Sequence, residues 1–442
     1  MLKRKIESEL IKWKSLPDHN PLVIKGCRQC GKTFSALHFA NSHYESVVYI
    51  NFFENNLYRE IFAGTTSIDR ITMELSAVIG RQNAFIPQKT CIILDEIQEV
   101  PAARACLKFF KLDGRYDVIA TGSLLGISGY KDQPVSIPVG YETVITMYPL
   151  DFEEFLWANG VSEDYMINLV SHLQTMTPFP ESMLNFMYDQ MLQYIVVGGM
   201  PAVVNSYISN HLLDIVLQLQ RDILNGYRDD MVKYSPKPEK SKIRECFDSI
   251  PFQLAKENKK FQYSRIEKGG RASKFSGVIK WIEDAGIIQV CHNLRMPELP
   301  LAGNAERDIF KIYMTDIGLL VAMLEDGAQF DILHNRLYTY KGAILENLIA
   351  DFFAKAGKKL YYFRKESGLE VDFVTRWKNE ATLIECKSSD GNVKSTKTIL
   401  SHPDKYHVEQ AVKLCHKNIG QSNGLLTLPL FCGAFLFSIR NE

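Results

Sequence analysis

Gly26-Cys27-Arg28-Gln29-Cys30-Gly31-Lys32-Thr33 decides how the N-terminal part of this chain reads. The octet fits G-x-x-x-x-G-K-[ST] at every position. It follows the apolar Leu22-Val23-Ile24 and precedes the helix-compatible run Phe34 to Ala40, so the spacing predicts strand, loop and helix. Glycines let such a loop wrap closely around a phosphate, and its N–H groups then point inward at the helix N-terminus. Lys32 has the reach for the β- and γ-phosphates, and the Thr33 hydroxyl suits Mg²⁺. Cys27 and Cys30 form a C-x-x-C pair inside the loop and read as incidental to it. Arg28 has three equal readings: a phosphate contact, a neighbouring subunit, or a surface acid.

Working outward, Cys91-Ile92-Ile93-Leu94-Asp95-Glu96 is a buried type of strand that ends in two acids. Asp95 is placed to hold magnesium through its water shell, and Glu96 to polarise an attacking water as a general base. Adjacent acids here point to hydrolysis rather than to nucleotide storage alone. Val118-Ile119-Ala120 runs into Thr121-Gly122-Ser123, whose hydroxyls would meet a γ-phosphate or the water; a polar strand cap is the plainer reading. With PLVIKG, VVYINF and TVITMYPL, these runs alternate with helical stretches. Continuous apolar strands separated by helices predict an α/β fold with a parallel sheet covered on both faces.

The whole chain has 442 residues, enough for about three domains of roughly 150 residues each. Apolar residues make up 46% and charged residues 23%, which excludes wholesale disorder. Lys+Arg and Asp+Glu are each 51, so a uniformly basic coat or an acidic tail is excluded, while a local basic patch is not. No apolar run reaches the roughly 18 residues that span a membrane, and the N-terminus reads as a surface helix rather than a signal peptide. The nine cysteines are odd in number and scattered, which points to a reduced, cytoplasmic setting and not to a disulfide framework.

The motifs together resemble the bacterial and archaeal AAA-type ATPases, and more narrowly the group whose phosphate loop reads G-x-R-Q-x-G-K-T. Tyr148-Pro149-Leu150-Asp151-Phe152-Glu153-Glu154-Phe155 is similar to that group's Y-P-L-x-F-x-E-F segment, and Gly198-Gly199-Met200-Pro201 to its G-G-x-P element. The resemblance covers almost the whole chain and implies ATP and Mg²⁺ as ligands. It also implies a C-terminal domain of unknown function. One departure concerns the arginine many members place before Y-P-L: this chain has Pro138-Val139-Gly140-Tyr141 there. Arg104 and Arg115 are the substitutes considered for a transition-state cation.

Residues 233–280 carry 13 Lys or Arg against 5 acids in a chain that is neutral overall. Short helices followed by the β-like Ile287-Ile288-Gln289-Val290 are similar to a winged helix-turn-helix. Phosphate contacts by Lys and Arg, Lys259 and Lys260 among them, would give sequence-independent affinity for DNA. The alternatives are a solvated face or a protein-docking module.

Near the C-terminus, Leu369 to Val374 and Thr382 to Lys387 alternate with period two and predict a hairpin. Alternation puts Glu385 and Lys387 on one face. Asp372, Glu385 and Lys387 resemble the D…E-x-K core of the PD-(D/E)xK nucleases, with Glu346 added from the helix Gly342 to Ala356. The resemblance implies a second metal site at Glu346, Asp372 and Glu385 beside Lys387, and the gathered acids require a divalent ion or nearby cations. Loss of cleavage with retention of the fold is the competing reading. The expected organisation is therefore an ATPase domain at 1–150, a helical lid at 151–233, a winged-helix-like region at 234–300 and a nuclease-like core within 301–442. The residues 235–242, SPKPEKSK, serve as a linker. Expected partners are ATP, DNA, and a protein partner or a second copy, but no membrane. Two alternatives stand beside an ATPase: a nucleotide-dependent switch with negligible turnover, and an ATP-regulated endonuclease.

Overall fold

The computed structural model describes all residues except 82–83, 124–138, 235–239, 257–258, 268–271, 337–339, 389–390, 423 and 440–442. Most of the expected linker, the basic residues Lys237, Lys268 and Arg271, and Pro138 lie outside the described residues. The chain divides into two compact units.

The first unit comprises Arg4–Pro149 with Asp284–Gly286. Its five strands are β1 (Leu22–Gly26), β2 (Ser46–Asn51), β3 (Thr90–Asp95), β4 (Asp117–Ser123) and β5 (Thr143–Met147). They pair in the order β2-β3-β4-β1-β5, and every pairing is parallel. The apolar runs explain the burial. Alternate residues of one strand feed two cores: Ile92 and Leu94 pack on one face with Phe62, Leu75, Leu107 and Phe110. Cys91 and Ile93 pack on the other with Trp13, Ala36 and Phe39. A parallel sheet with covered faces leaves the C-terminal ends of its strands as the open crevice. Gly26, Asn51, Asp95 and Ser123 all sit at those ends, with Gly26 beside Ser123 and Asn51 beside Asp95 in register.

The second unit comprises Met1–Lys3, Leu150–Glu283 and Ile287–Glu442. It opens on helices. The one at Phe152–Ala158 starts with a capping box, in which the Asp151 carboxylate accepts from the Glu154 N–H and the Glu154 carboxylate accepts from the Asp151 N–H. Further on, the helices Lys240–Asp248, Ile250–Leu254 and Ala272–Asp284 precede β6 (Ile288–Leu294) and β7 (Ala305–Met314). The β-like stretch at 287–290 falls in β6, which pairs antiparallel with β7. β6 also pairs in parallel with β8 (Leu360–Arg364), and β9 (Glu370–Val371) extends the sheet to β7-β6-β8-β9. Residue 300 lies in the connection between β6 and β7.

The second sheet holds β10 (Phe373–Trp377), β11 (Glu380–Cys386), β12 (Gln410–Cys415), β13 (Gly420–Ser422) and β14 (Leu425–Pro429) in the order β10-β11-β12-β14-β13. The β10–β11 hairpin is antiparallel with Phe373 opposite Ile384. Residues 369–374 do not form the single strand that their alternation predicts. The chain leaves one sheet after Val371 and joins the other at Phe373. Asp372 is the crossing residue, and its carboxylate accepts the Cys386 N–H at 2.8 Å.

Candidate functional site

The octet lies where its pattern puts it, with Gly26 closing β1 and Lys32 opening the helix Lys32–His43. Gly26 has no alternative: a Cβ there would fall on the Met147 carbonyl oxygen of β5. Gln29 and Gly31 take positive φ, 64° and 97°, which curls the loop back toward the helix. Gln29 is exposed, Arg28 is half-buried, and Cys27 and Cys30 are buried beneath the loop. The Cys30 thiol is drawn down to about 6 by its hydrogen bond with Cys27, aided by the charges of Lys32 and Arg4 and opposed by burial. Arg4 donates to the carbonyls of Cys30 at 3.1 Å and Tyr148 at 2.8 Å, so it ties the loop to the chain leaving β5. Sequence reading missed Arg4; a basic residue ahead of an amphipathic surface helix gave no signal for it.

Lys32 is buried and donates to the carbonyls of Cys27 at 2.8 Å and Gly26 at 3.3 Å. Asp95 is the meeting point of three elements. Its Oδ1 accepts the hydroxyl of Thr33 at 2.9 Å and that of Thr121. Its Oδ2 accepts from the Tyr49 hydroxyl at 2.8 Å and from Asn51 Nδ2 at 3.4 Å. Tyr49 and Asn51 were not foreseen, because residues at the end of β2 carry no motif. Glu96 takes φ 57°, is half-buried, and accepts from the Gln98 side-chain amide. Ser123 sits beside Gly26 across the β1–β4 register.

Both arginines weighed as substitutes are engaged elsewhere. Arg104 is buried in an ion pair with Glu142 at 2.6 Å. Arg115 joins Asp69 at 2.6 Å and Asp113 at 2.7 Å.

Comparison with known proteins agrees with this geometry. Residues 18–156 match the model of a family described as an AAA domain. Residues 188–329 match a domain of unknown function (DUF8612), and residues 341–431 another (DUF4143). Strand order, loop and family match together define an AAA-type P-loop ATPase fold in the N-terminal part of the chain. No curated protein matches the chain. Among solved structures, the Walker-type ATPase PABY2304 of Pyrococcus abyssi is similar at 13% identity and a TM-score of 0.43, over 73% of this chain and 96% of that one. The Aeropyrum pernix ORC1 protein, solved in complex with DNA, is 12% identical with a TM-score of 0.29, over 76% of this chain and 93% of that one. The Thermotoga maritima RuvB Holliday junction branch migration motor is 13% identical with a TM-score of 0.31, over 65% and 89%. These are distant likenesses and do not extend to what those proteins bind. No helix among the described residues is long and apolar enough to cross a membrane.

In the second unit, Asp372, Glu385 and Lys387 come together. Lys387 Nζ lies 2.7 Å from Glu385 and 3.4 Å from Asp372, and Glu385 also accepts the Thr396 hydroxyl at 2.7 Å. Glu346 is buried in the helix Lys341–Lys355 and is met by Lys259, by Lys311 at 3.6 Å and by the Tyr313 hydroxyl at 3.1 Å. Burial works against its charge, but Lys311 and Lys259 outweigh burial and hold the carboxyl at about 2. Burial, with the charges of Glu346 and Glu385, pushes Asp372 up to about 7. Among the described residues, no group of three or more His, Cys, Asp or Glu side chains is placed to hold a metal ion.

The Y-P-L and G-G-x-P residues meet at a separate buried node. Leu150 N–H donates to the Gly199 carbonyl at 2.7 Å, and Gly199 N–H donates to Asp316 at 2.7 Å. The Leu150 carbonyl accepts from Lys355 Nζ at 3.0 Å and lies 3.0 Å from the Tyr194 hydroxyl, which donates to Asp351 at 2.8 Å. Lys355 also pairs with Asp351 at 2.8 Å. Burial first, and Asp316 second, push Asp351 up to about 7 against the pull of Lys355.

Proposed function

We propose that the chain binds ATP with Mg²⁺ in the crevice of the first unit and hydrolyses it. The carrying observation is Asp95, whose carboxylate gathers the hydroxyls of Thr33 and Thr121 from two other elements. A carboxylate and a hydroxyl are hard oxygen donors of the kind Mg²⁺ takes in nucleotide sites, so Thr33 and Asp95 are the pair that fits it. Bound Mg²⁺ would neutralise developing phosphate charge. The chain's own residues do the rest. The N–H groups of residues 27–33 cradle the phosphates, and Lys32 exchanges two backbone carbonyls for phosphate oxygens. Glu96 takes the proton of the attacking water. Thr121 and Ser123 would meet the γ-phosphate or the attacking water.

The test is phosphate release together with nucleotide binding. Lys32→Ala should lose both, and Glu96→Gln should keep binding and lose turnover. Binding retained in Lys32→Ala would refute the site; equal loss of affinity in Lys32→Ala and Glu96→Gln would remove Glu96 from the base role.

The engaged state of Arg104 and Arg115 favours a second reading, a nucleotide-dependent switch that turns over slowly. A parent enzyme whose turnover stays negligible at saturating ATP, with nucleotide bound, would select the switch. Action on DNA rests on the basic segment 233–280. Of its exposed cations, Arg244 pairs with Asp248 at 3.7 Å and Lys280 with Glu283 at 3.2 Å, and the half-buried Lys259 is engaged by Glu346. Affinity that falls steeply with salt would support the DNA reading, and salt-independent or absent binding would remove it.

A further inference from the structure

Lys311 is the residue that organises the acid cluster of the second unit. It lies on β7 in the run Phe310-Lys311-Ile312-Tyr313-Met314, and its side chain is 1% exposed. A lysine placed so deeply needs carboxylate partners, because an unpaired charge in the interior is very costly. Its partners are Glu346 at 3.6 Å and Glu370 at 3.0 Å. Nζ makes no hydrogen bond of good geometry to either, so the attraction is between charges and has little direction.

The rest of the cluster follows the same rule. Glu346 carries a second lysine, Lys259, and Lys387 bridges Asp372 and Glu385. Among the described residues, four carboxylates thus face three ammonium groups and the Arg364 guanidinium, which lies 3.6 Å from Glu370. A divalent ion coordinated by Glu346 would lie within ion-pair reach of both Lys259 and Lys311, and like charges at such separations repel strongly in a site with little water. The residues present therefore do not fit the second metal site that the resemblance to PD-(D/E)xK nucleases implies.

We propose that Lys259, Lys311 and Lys387 are the resident cations of this cluster, so that the cluster binds no metal and cuts no phosphodiester. Its role is to fasten. Lys259 and Lys311 belong to the stretch 188–329, and all four acids to the stretch 341–431, the two regions matched as separate domains of unknown function. The cluster joins them through the interior.

The test uses the full chain without nucleotide and Mn²⁺ as the probe, followed by electron paramagnetic resonance and by thermal unfolding. Asp372→Asn in the parent should change neither the number of Mn²⁺ ions bound nor the Mn²⁺-induced shift in melting temperature. Lys311→Met leaves Lys259 on Glu346 and Lys387 between Asp372 and Glu385, so it should bind no more Mn²⁺ than the parent. The proposal is overturned by a Mn²⁺ ion in the parent that Asp372→Asn abolishes. Mn²⁺-dependent cleavage of duplex DNA lost in Asp372→Asn overturns it equally. If Lys311→Met does not fold, the comparison of parent with Asp372→Asn decides alone.

Discussion

The crevice of the first unit and the acid cluster of the second both bury charge, and they satisfy it in opposite ways. In the crevice, Lys32 is held by two backbone carbonyls and Asp95 by hydroxyls, an amide and the Glu96 N–H. All of these partners are neutral, so a charged ligand can replace them at a gain. In the cluster, Glu346, Asp372 and Glu385 are met by ammonium groups of the chain itself. A phosphate or a metal arriving there finds its counter-charge already taken. On the proposed reading, buried charges with neutral partners belong to a site and buried charges met by opposite charges belong to a joint.

Lys32→Ala is the largest break available to that contrast. Because the Lys32 partners are only carbonyls, the variant should keep the fold with a small change in melting temperature, and ATP binding should vanish from calorimetric titration. Unfolding of the variant would place Lys32 with the joint rather than the site.

Glu96→Gln comes next. Loss of the base should slow phosphate release by about 10²–10⁴-fold with nucleotide affinity retained, since positioned proton transfer is worth that much. A near-parental rate in single-turnover measurements would hand the base role to another group.

Glu346→Gln probes the other side. Removing one member of a buried charge pair costs about 3–5 kcal/mol, here because Lys311 and Lys259 lose their shared partner. Denaturant unfolding of the second unit should show that loss, and the affinity for ATP should stay at the parental value. A variant as stable as the parent would deny the cluster its fastening role.

How much of this was legible in the sequence follows from the same physics. The octet at 26–33, the strand ending at Asp95 and the alternate apolar residues of β3 are local patterns with one structural solution, and the parallel sheet follows from them. Tyr49, Asn51 and Arg4 were not legible, because they reach the crevice from strand and segment ends that carry no signature of their own. In the second unit, alternation over 369–374 predicted one strand and missed the change of sheet at Asp372, whose carboxylate accepts the Cys386 N–H across the hairpin. Lys311 sat in plain view within an apolar strand. A lone lysine in such a run was a signal for a buried acid, but naming Glu346 and Glu370 required the register of β7 against β6 and β8. Lys259 read as part of a basic, DNA-facing stretch, since charge along a sequence does not tell which cations turn inward.

The smallest expected effect is a slope in stability with pH, and it sharpens the contrast by adding a third buried charge group, one that is incompletely matched. At the Y-P-L node, Asp351 and Asp316 face a single cation, Lys355, with the Tyr194 hydroxyl donating to Asp351 at 2.8 Å. Burial and Asp316 raise Asp351 from its ordinary 3.8 to about 7. Between those two values the folded chain holds a proton that the unfolded chain has released. Stability from this group is therefore full below about 4 and is lost as pH rises through about 7, at no more than about 1.4 kcal/mol per pH unit. Glu346, held at about 2, behaves oppositely: its contribution is full above its ordinary 4.5 and is lost as pH falls from there toward 2. Asp351→Asn should thus flatten the fall of stability between pH 4.5 and 7 in urea unfolding. A residual slope should remain, because Asp372 is raised in the same direction. An unchanged slope in Asp351→Asn would mean that Asp351 is ionised throughout and that Lys355 matches it fully, which would turn the node into a second joint of the Glu346 kind.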